Sequence, residues 1–316
     1  MTFNSSFAKS LVSMYAFPAK VLKKLSVNSF IAYYDFISNC VTNVFEKTYD
    51  IAIDFYGYGS FVTAFLATKI QAKKKATWLH DEKPYWMKSV QKYLCEYDKI
   101  YGVSQAVVDA FCREYPHYKD KAAVFYNVID IEEIKRKSEQ DEIIPFKESF
   151  NIVTVGRLTE QKGYDIAIKA ASILKKRKIN FAWYAIGGGR DEKKLKKLVE
   201  KYCLENQFVF LGRKKNPYPY MKHCDLYVQP SRHEGYVITL VEARALCLPI
   251  LSSDIPSARE QIQDGINGYV AELSAEDLAD KIEYLYNNPS QRKKTVEYLK
   301  EHPIDFSTEL LKLEII

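Results

Sequence analysis

Short apolar runs alternate with amphipathic stretches along most of this chain. Residues 50–55 (DIAIDF), 76–79, 99–103 and 122–126 are brief, largely apolar and rich in β-branched or aromatic side chains. Runs of that length and composition predict buried strands, the first followed by a helix to about Gln71. The pattern restarts at 151–155 (NIVTV), with further strands expected at 181–186, 208–211, 226–229 and 250–252. Helices are expected between them at 163–177, 191–202, 218–223 and 239–246, and one more at 275–286. Residues 135–149 are charged, contain Pro145 and read as a linker. Residues 1–48 read as helical and amphipathic. Within them, 17–25 mixes apolar residues with Lys20, Lys23 and Lys24, which suits either packing on its own domain or touching a membrane surface.

Alternating strands and helices imply parallel sheets with helices on their faces. A length of 316 residues exceeds one ordinary core and calls for two domains. The fold class expected is α/β, with two doubly wound Rossmann-like domains. The division predicted is 1–147, 148–290 and a helical tail over 291–316. The first series shows only about four strands and no Gly-rich strand-to-helix turn near its start, so the N-terminal domain is expected to be shortened.

Composition narrows the classes. A hydrophobic fraction of 47% argues for globular packing. The net charge of +6 comes from 46 basic and 40 acidic residues. It is too mild to demand nucleic acid and fits anionic substrates or an anionic membrane surface. No run is apolar enough over 18 residues to span a membrane. Six scattered cysteines (Cys40, Cys95, Cys112, Cys203, Cys224, Cys247), with no paired spacing and no signal peptide, read as reduced, mostly buried thiols of a cytosolic protein. His223 and Cys224 are adjacent, but no further ligands stand at zinc spacing, and no metal is expected.

Three clusters carry chemistry. Residues 156–163 (GRLTEQKG) directly follow a predicted strand, so Arg157 and Lys162 stand where a doubly wound sheet lines its ligand crevice. Two neighbouring cations repel unless an anion lies between them, and a diphosphate fits that need. Gly187-Gly188-Gly189-Arg190 follows another strand; glycines admit close backbone approach, and the next helix start favours anions. Glu192 stands where a dinucleotide fingerprint needs Gly or Ala, which argues against a nicotinamide or flavin site. The third cluster, 230–243 (PSRHEGYVITLVEA), carries Glu234 in a loop and Glu242 in the following helix. Seven residues separate them, close to two helical turns, so both carboxylates can face one crevice. Carboxylates suit sugar hydroxyls, and the helix-start amides suit phosphate oxygens.

Together these clusters resemble the retaining glycosyltransferases of family 4. The chain has VGRLTEQKG (155–163), IGGGRDEKKL (186–195) and QPSRHEGYVITLVEA (229–243), with YDKIYGVSQAV (97–107), FYNVIDIEEI (125–134), FLGRKKNPYPYMKHCDLYV (210–228) and DGINGYV (264–270) in support. The resemblance covers about residues 50–290. It implies a GT-B fold, two domains facing across a cleft, and a hexosyl donor carried on a nucleoside diphosphate. It assigns the donor diphosphate to Arg157 and Lys162, the donor sugar to Glu234 and the ribose hydroxyls to Glu242. Backbone contacts fall to Gly156, Gly188, Gly235, Tyr236 and Val237, the last standing where the pattern often has Gly. His80, in TWLHDE, matches the first-domain histidine that faces the reaction centre. Transfer to a glycan or lipid-linked acceptor with retention, without a metal or other cofactor, at the inner membrane face, is the implied activity. The alternative is a nucleotide-sugar-binding partner subunit or fragment of weak activity.

Overall fold

The computed structural model describes residues 31, 33–35, 38, 47–57, 61–140 and 146–312. The segment 17–25, Cys40 and Pro145 lie outside them. Two compact units result. The first runs to Val103 and takes in Val107–Val124; the second holds Ser104–Ala106 and the chain from Phe125 to the last described residue.

The first unit contains β1 (Tyr49–Asp54), α1 (Phe61–Lys69), β2 (Ala72–Leu79), β3 (Lys99–Gly102), most of α2 (Gln105–Glu114) and β4 (Ala122–Val124). Its strands form one parallel sheet in the order β1-β2-β3-β4. β2 begins earlier than its apolar run, because Lys73–Lys75 pair with β1 while their side chains stay near solvent. Asp54 is buried at the end of β1. It accepts hydrogen bonds from Thr63 Oγ1 at 2.6 Å, Thr77 Oγ1 at 3.2 Å and the Gly57 N–H at 3.1 Å. These donors replace the water a carboxylate loses on burial.

The second unit contains α3 (Ile131–Ser138), β5 (Phe150–Val155), α4 (Tyr164–Lys176), β6 (Phe181–Ile186), α5 (Glu192–Lys201), β7 (Phe208–Gly212) and α6 (Tyr218–Lys222). It continues with β8 (Leu226–Gln229), α7 (Ile238–Ala245), β9 (Ile250–Ser253), α8 (Pro256–Arg259), β10 (Tyr269–Ala271), α9 (Ala275–Asn287), α10 (Pro289–Glu301) and α11 (Ser307–Leu311). Six parallel strands lie in the order β10-β9-β8-β5-β6-β7. Every residue of β6 is buried, as a strand covered by helices on both faces must be. One core, on the α4–α5–α9 side, is built around Trp183, Ile168, Leu195 and Leu278; the other, on the α7 side, around Tyr184, Tyr227 and Leu240. Trp183 has no exposed surface, and its indole N–H donates to Thr154 Oγ1 at 3.0 Å.

Several details differ from the sequence reading. The chain divides at 124/125, not 147/148, because α3 packs on α6 and α7 of the second unit. Part of the expected linker is therefore helix, capped by Asp130, whose side chain accepts the Glu133 N–H. α10 and α11 belong to the second unit, and β10 adds a strand the reading did not contain. Five described cysteines are free thiols, and among them only Cys224 is buried; Cys95 and Cys203 are exposed. Cys203 sits in the turn that ends α5, where the chain must come to the surface. Among the described residues no helix is long and apolar enough to cross a membrane.

Candidate functional site

The strand order of the second sheet reverses between β5 and β8: the chain moves outward from β5 to β6 and β7, then returns to β8 and β9. Loops leaving the carboxyl ends of strands at such a reversal splay apart and leave a crevice. The loops in question are 156–163, after β5, and 230–237, after β8. These are two of the three clusters singled out by sequence.

Gly163 fixes how closely the two loops approach. It is left-handed, at φ +66°, and a Cβ on it would lie 1.8 Å from the Pro230 carbonyl oxygen. Only glycine fits both demands. The loops are then stitched together. The Arg232 N–H donates to the Gln161 carbonyl at 2.8 Å, and Gln161 Nε2 to the His233 carbonyl at 3.0 Å. The Arg232 guanidinium forks onto Asp165 at 2.7 and 2.8 Å and also reaches the Glu160 carbonyl. Hydrogen bonding to this fork holds the Asp165 carboxyl below the ordinary carboxylate range.

Across this junction Lys162 Nζ meets Glu234 Oε1 at 2.5 Å, with both side chains largely shielded from solvent. Ser231 Oγ donates to the same carboxylate oxygen at 2.7 Å. Behind it Gln229 Nε2 donates to Ser231 Oγ at 2.7 Å, while Gln229 Oε1 accepts from Tyr227 OH at 2.8 Å and Thr239 Oγ1 at 2.9 Å. Ser257 Oγ holds the Glu234 carbonyl at 2.9 Å. The network runs in one direction, from Tyr227 and Thr239 through Gln229 and Ser231 to Glu234. Every named side-chain donor in it finds an acceptor. Sequence reasoning quoted Gln229 and Ser231 only as letters of a motif. The available signal was polar residues at 227, 229 and 231, alternate positions that share one face of β8 and its continuation.

The remaining expected residues fall into groups. Gly156 and Gly188 lie on adjacent strand ends: the Gly156 N–H donates to the Ile186 carbonyl, and the Leu158 N–H to the Gly188 carbonyl. The N–H groups of Gly235, Tyr236 and Val237 have no hydrogen-bond acceptor among the described residues, as befits the open start of α7. Val237 itself is buried. Arg157 is exposed and makes no ion pair among the described residues. Glu242 is half-buried on α7 and accepts from Tyr218 OH at 2.9 Å. Burial pushes its carboxyl above the usual carboxylate range, with Tyr218 offsetting only part of that. No hydrogen bond joins Glu242 to Glu234 among the described residues. His80 belongs to the first unit, at the end of β2, where its Nε2 lies 2.7 Å from the Phe55 carbonyl oxygen. His223 Nδ1 lies 2.7 Å from the Pro219 carbonyl, an intrahelical partner. A cavity of about 250 Å³ flanks the two loops, walled by Thr159, Glu160 and Arg232 on one side and by Lys194, Lys197 and Lys201 of α5 on the other.

The family model for glycosyl transferases group 1 matches residues 135–302, just over half of the chain. An uncharacterised glycosyltransferase of Methanocaldococcus jannaschii is 33% identical over 172 residues, covering 53% of this chain and 40% of that protein. The N-acetylgalactosamine-N,N'-diacetylbacillosaminyl-diphospho-undecaprenol 4-alpha-N-acetylgalactosaminyltransferase of Campylobacter jejuni is 30% identical over 184 residues, covering 55% of this chain and 49% of that one. The chain thus spans about half the length of the curated relatives it matches. Among solved structures, Anabaena HepE in complex with UDP and glucose matches with a TM-score of 0.71 at 18% identity, over 90% of this chain and 80% of that one. TarM of Staphylococcus aureus matches with a TM-score of 0.70 at 20% identity, over 84% of this chain and 54% of that one. These likenesses show an α/β fold of the GT-B kind, with its two parallel sheets. By the extent of the family match, the chain belongs to the glycosyl transferases group 1 family.

Proposed function

We propose that the chain moves a hexose from a nucleoside diphosphate sugar to a glycan or lipid-linked acceptor, with retention of configuration. The observation that carries this reading is the shielded pair of Lys162 and Glu234 at the strand-order reversal, held at 2.5 Å. A cation and a carboxylate kept together in the absence of substrate can exchange partners when a diphosphate arrives. Lys162 then takes the phosphate oxygens, and Glu234, kept in place by Ser231, turns its free oxygen to the donor sugar hydroxyls. Arg157 supplies the second cation, and the unpaired amides of Gly235, Tyr236 and Val237 suit further phosphate oxygens. Gly156 and Gly188 let the backbone approach the donor, and Glu242 accepts the ribose hydroxyls. His80, at the end of β2, keeps the catalytic role that the resemblance implies.

In the proposed step the bond between the sugar's anomeric carbon and the diphosphate oxygen breaks. The acceptor oxygen bonds the same carbon from the same face, and the acceptor's proton passes to the leaving diphosphate. Arg157 and Lys162 neutralise the charge that builds there, the service a metal gives in other transferases. The uridine nucleotides bound to HepE and TarM make UDP the first nucleotide to test. The lipid-linked acceptor in the Campylobacter enzyme's name supports an acceptor of that class, presented at the inner face of a membrane.

The experiment is a thermal-shift panel of UDP, GDP, ADP and their sugar conjugates. A ligand that binds only the folded chain raises its melting temperature once in excess of its dissociation constant. One base is expected to stabilise the chain. Lys162→Ala is expected to weaken that nucleotide by about 1.5–3 kcal/mol, the range for hydrogen bonds to charged groups. A panel without any shift, or an unchanged affinity in the variant, overturns the assignment.

A further inference from the structure

The chain's charge is strongly uneven. Residues 169–201 hold eleven Lys or Arg against three Asp or Glu, a surplus of eight, while the whole chain carries +6. Everything outside this segment is therefore slightly acidic in sum. The segment comprises the end of α4, β6 and α5, and α4 packs beside α5 over one face of the second sheet.

Helical geometry turns this surplus outward. Leu195 and Val199 bury one side of α5. At about 100° per residue, Lys193, Lys194, Lys197 and Lys201 fall within an arc of about 100° on the opposite side. All four are exposed, and none makes an ion pair among the described residues. Lys196, off that arc, is paired with Glu192 at 2.8 Å. Lys176 and Lys178, at the end of α4, are exposed and likewise unpaired there. Their neighbours are engaged: Lys175 donates to the Cys203 carbonyl, and Arg177 pairs with Asp280 and Glu283. Glu200 is the one exposed acid beside the four lysines on α5. Lysines at the end of α4 complement the helix dipole and need no other cause. Those on α5 do need one, because the four-residue spacings Lys193–Lys197 and Lys197–Lys201 set like charges against each other at a cost to the helix. Lys201 lies over the Tyr202 ring at 5.9 Å, but no ion pair among the described residues offsets that cost.

We propose that this face of α5 and the end of α4 docks the chain on an anionic phospholipid surface. Six exposed ammonium groups, three of which (Lys194, Lys197, Lys201) also border the cavity beside the 156–163 loop, match a surface of phosphate charges. All are lysines, so none offers the forked guanidinium that reads bases, and the row on α5 contains no aromatic side chain for stacking. The remainder of the chain sums to a slight negative charge, so the attraction to such a membrane falls on this segment. The inference extends the proposed lipid-linked acceptor but rests on its own charge pattern.

The test is co-sedimentation of the full chain with vesicles of phosphatidylglycerol and phosphatidylcholine in equal amounts, and with phosphatidylcholine alone. Binding is expected to the first and not to the second. Each lysine near such a surface contributes a factor of roughly five, so replacing Lys193, Lys194, Lys197 and Lys201 together by Gln is expected to lower binding at least ~100-fold. The same variant should keep the nucleotide-induced thermal shift, which shows that it folds and separates this test from that of the donor site. Replacing Lys20, Lys23 and Lys24 by Gln is the companion variant and should leave most of the binding intact. Absence of binding to the anionic vesicles overturns the proposal, as does full binding by the α5 variant. So does tighter binding to an RNA duplex that the α5 substitutions abolish, since the face would then serve a nucleic acid.

Discussion

The two sheets are both parallel, yet among the described residues only the second reverses its strand order. In the first, strands follow one another in chain order, β1 to β4, so the described connections all step the same way. In the second, the order turns back between β5 and β8, and the two loops at that turn carry Lys162 and Glu234. Polar groups are treated differently as a result. The buried Asp54 of the first sheet spends its oxygens on Thr63, Thr77 and Gly57, close around its own strand, and is a structural carboxylate. Glu234 is buried too, but its carboxylate partners are a long-stemmed lysine and one serine. A carboxylate tied by an exchangeable cation can be recruited by a ligand; one tied by short side chains and backbone cannot.

Substitutions can break this contrast. The largest effect is expected from Trp183→Ala in the second sheet, which removes a fully buried indole and leaves Thr154 without its donor. It should cost about 3–5 kcal/mol in denaturant unfolding. Its counterpart Ile51→Ala, on the half-open face of β1, should cost under ~1 kcal/mol, because that side chain is 41% exposed. Asp54→Ala comes next: it strands the Thr77 hydroxyl and the Gly57 N–H, while Thr63 Oγ1 keeps the Gly57 carbonyl at 3.2 Å, and should destabilise by about 1–3 kcal/mol.

The smallest effect sharpens the comparison through pH. The Glu242 carboxyl is raised by burial, so the folded chain binds this proton more tightly than the unfolded chain. Ionising it therefore costs stability as pH rises from the ordinary carboxylate range through the raised value, and stability is recovered as pH falls. Glu242→Gln, which keeps an acceptor for Tyr218, should raise the melting temperature by a few degrees at neutral pH. It should flatten the pH dependence and weaken nucleotide binding. An unchanged pH profile in the variant would assign that dependence to another group.

Most of the second sheet was legible because its strands are short apolar runs bounded by glycine and polar loops, with helical periods between. β10 escaped because three residues are too few to form a pattern. α3 escaped because its charged residues read as linker, although Asp130 followed three residues later by Glu133 spelled a helix start. Lys73–Lys75 hid the first half of β2, since strand pairing there uses backbone and leaves Lys73 and Lys74 exposed, while Lys75 reaches back to the Ala67 carbonyl. Of the candidate residues, Arg157, Lys162, Glu234 and Glu242 were visible as charges in unusual places. Ser231 and Gln229 were not, because their importance lies in directed hydrogen bonds between side chains. The Asp165–Arg232 fork joins positions 67 residues apart, a pairing that local pattern does not encode.

That fork, with the bonds of Gln161 to both sides of Arg232, makes one mechanical piece of two loops far apart in sequence. Their amides should exchange with deuterated solvent as a single cooperative unit, opening together instead of one loop at a time. A nucleotide that gripped only Lys162 would then slow exchange around Glu234 as well. Occupancy of the crevice would be written into the protection of both loops, whichever of them the ligand touches first.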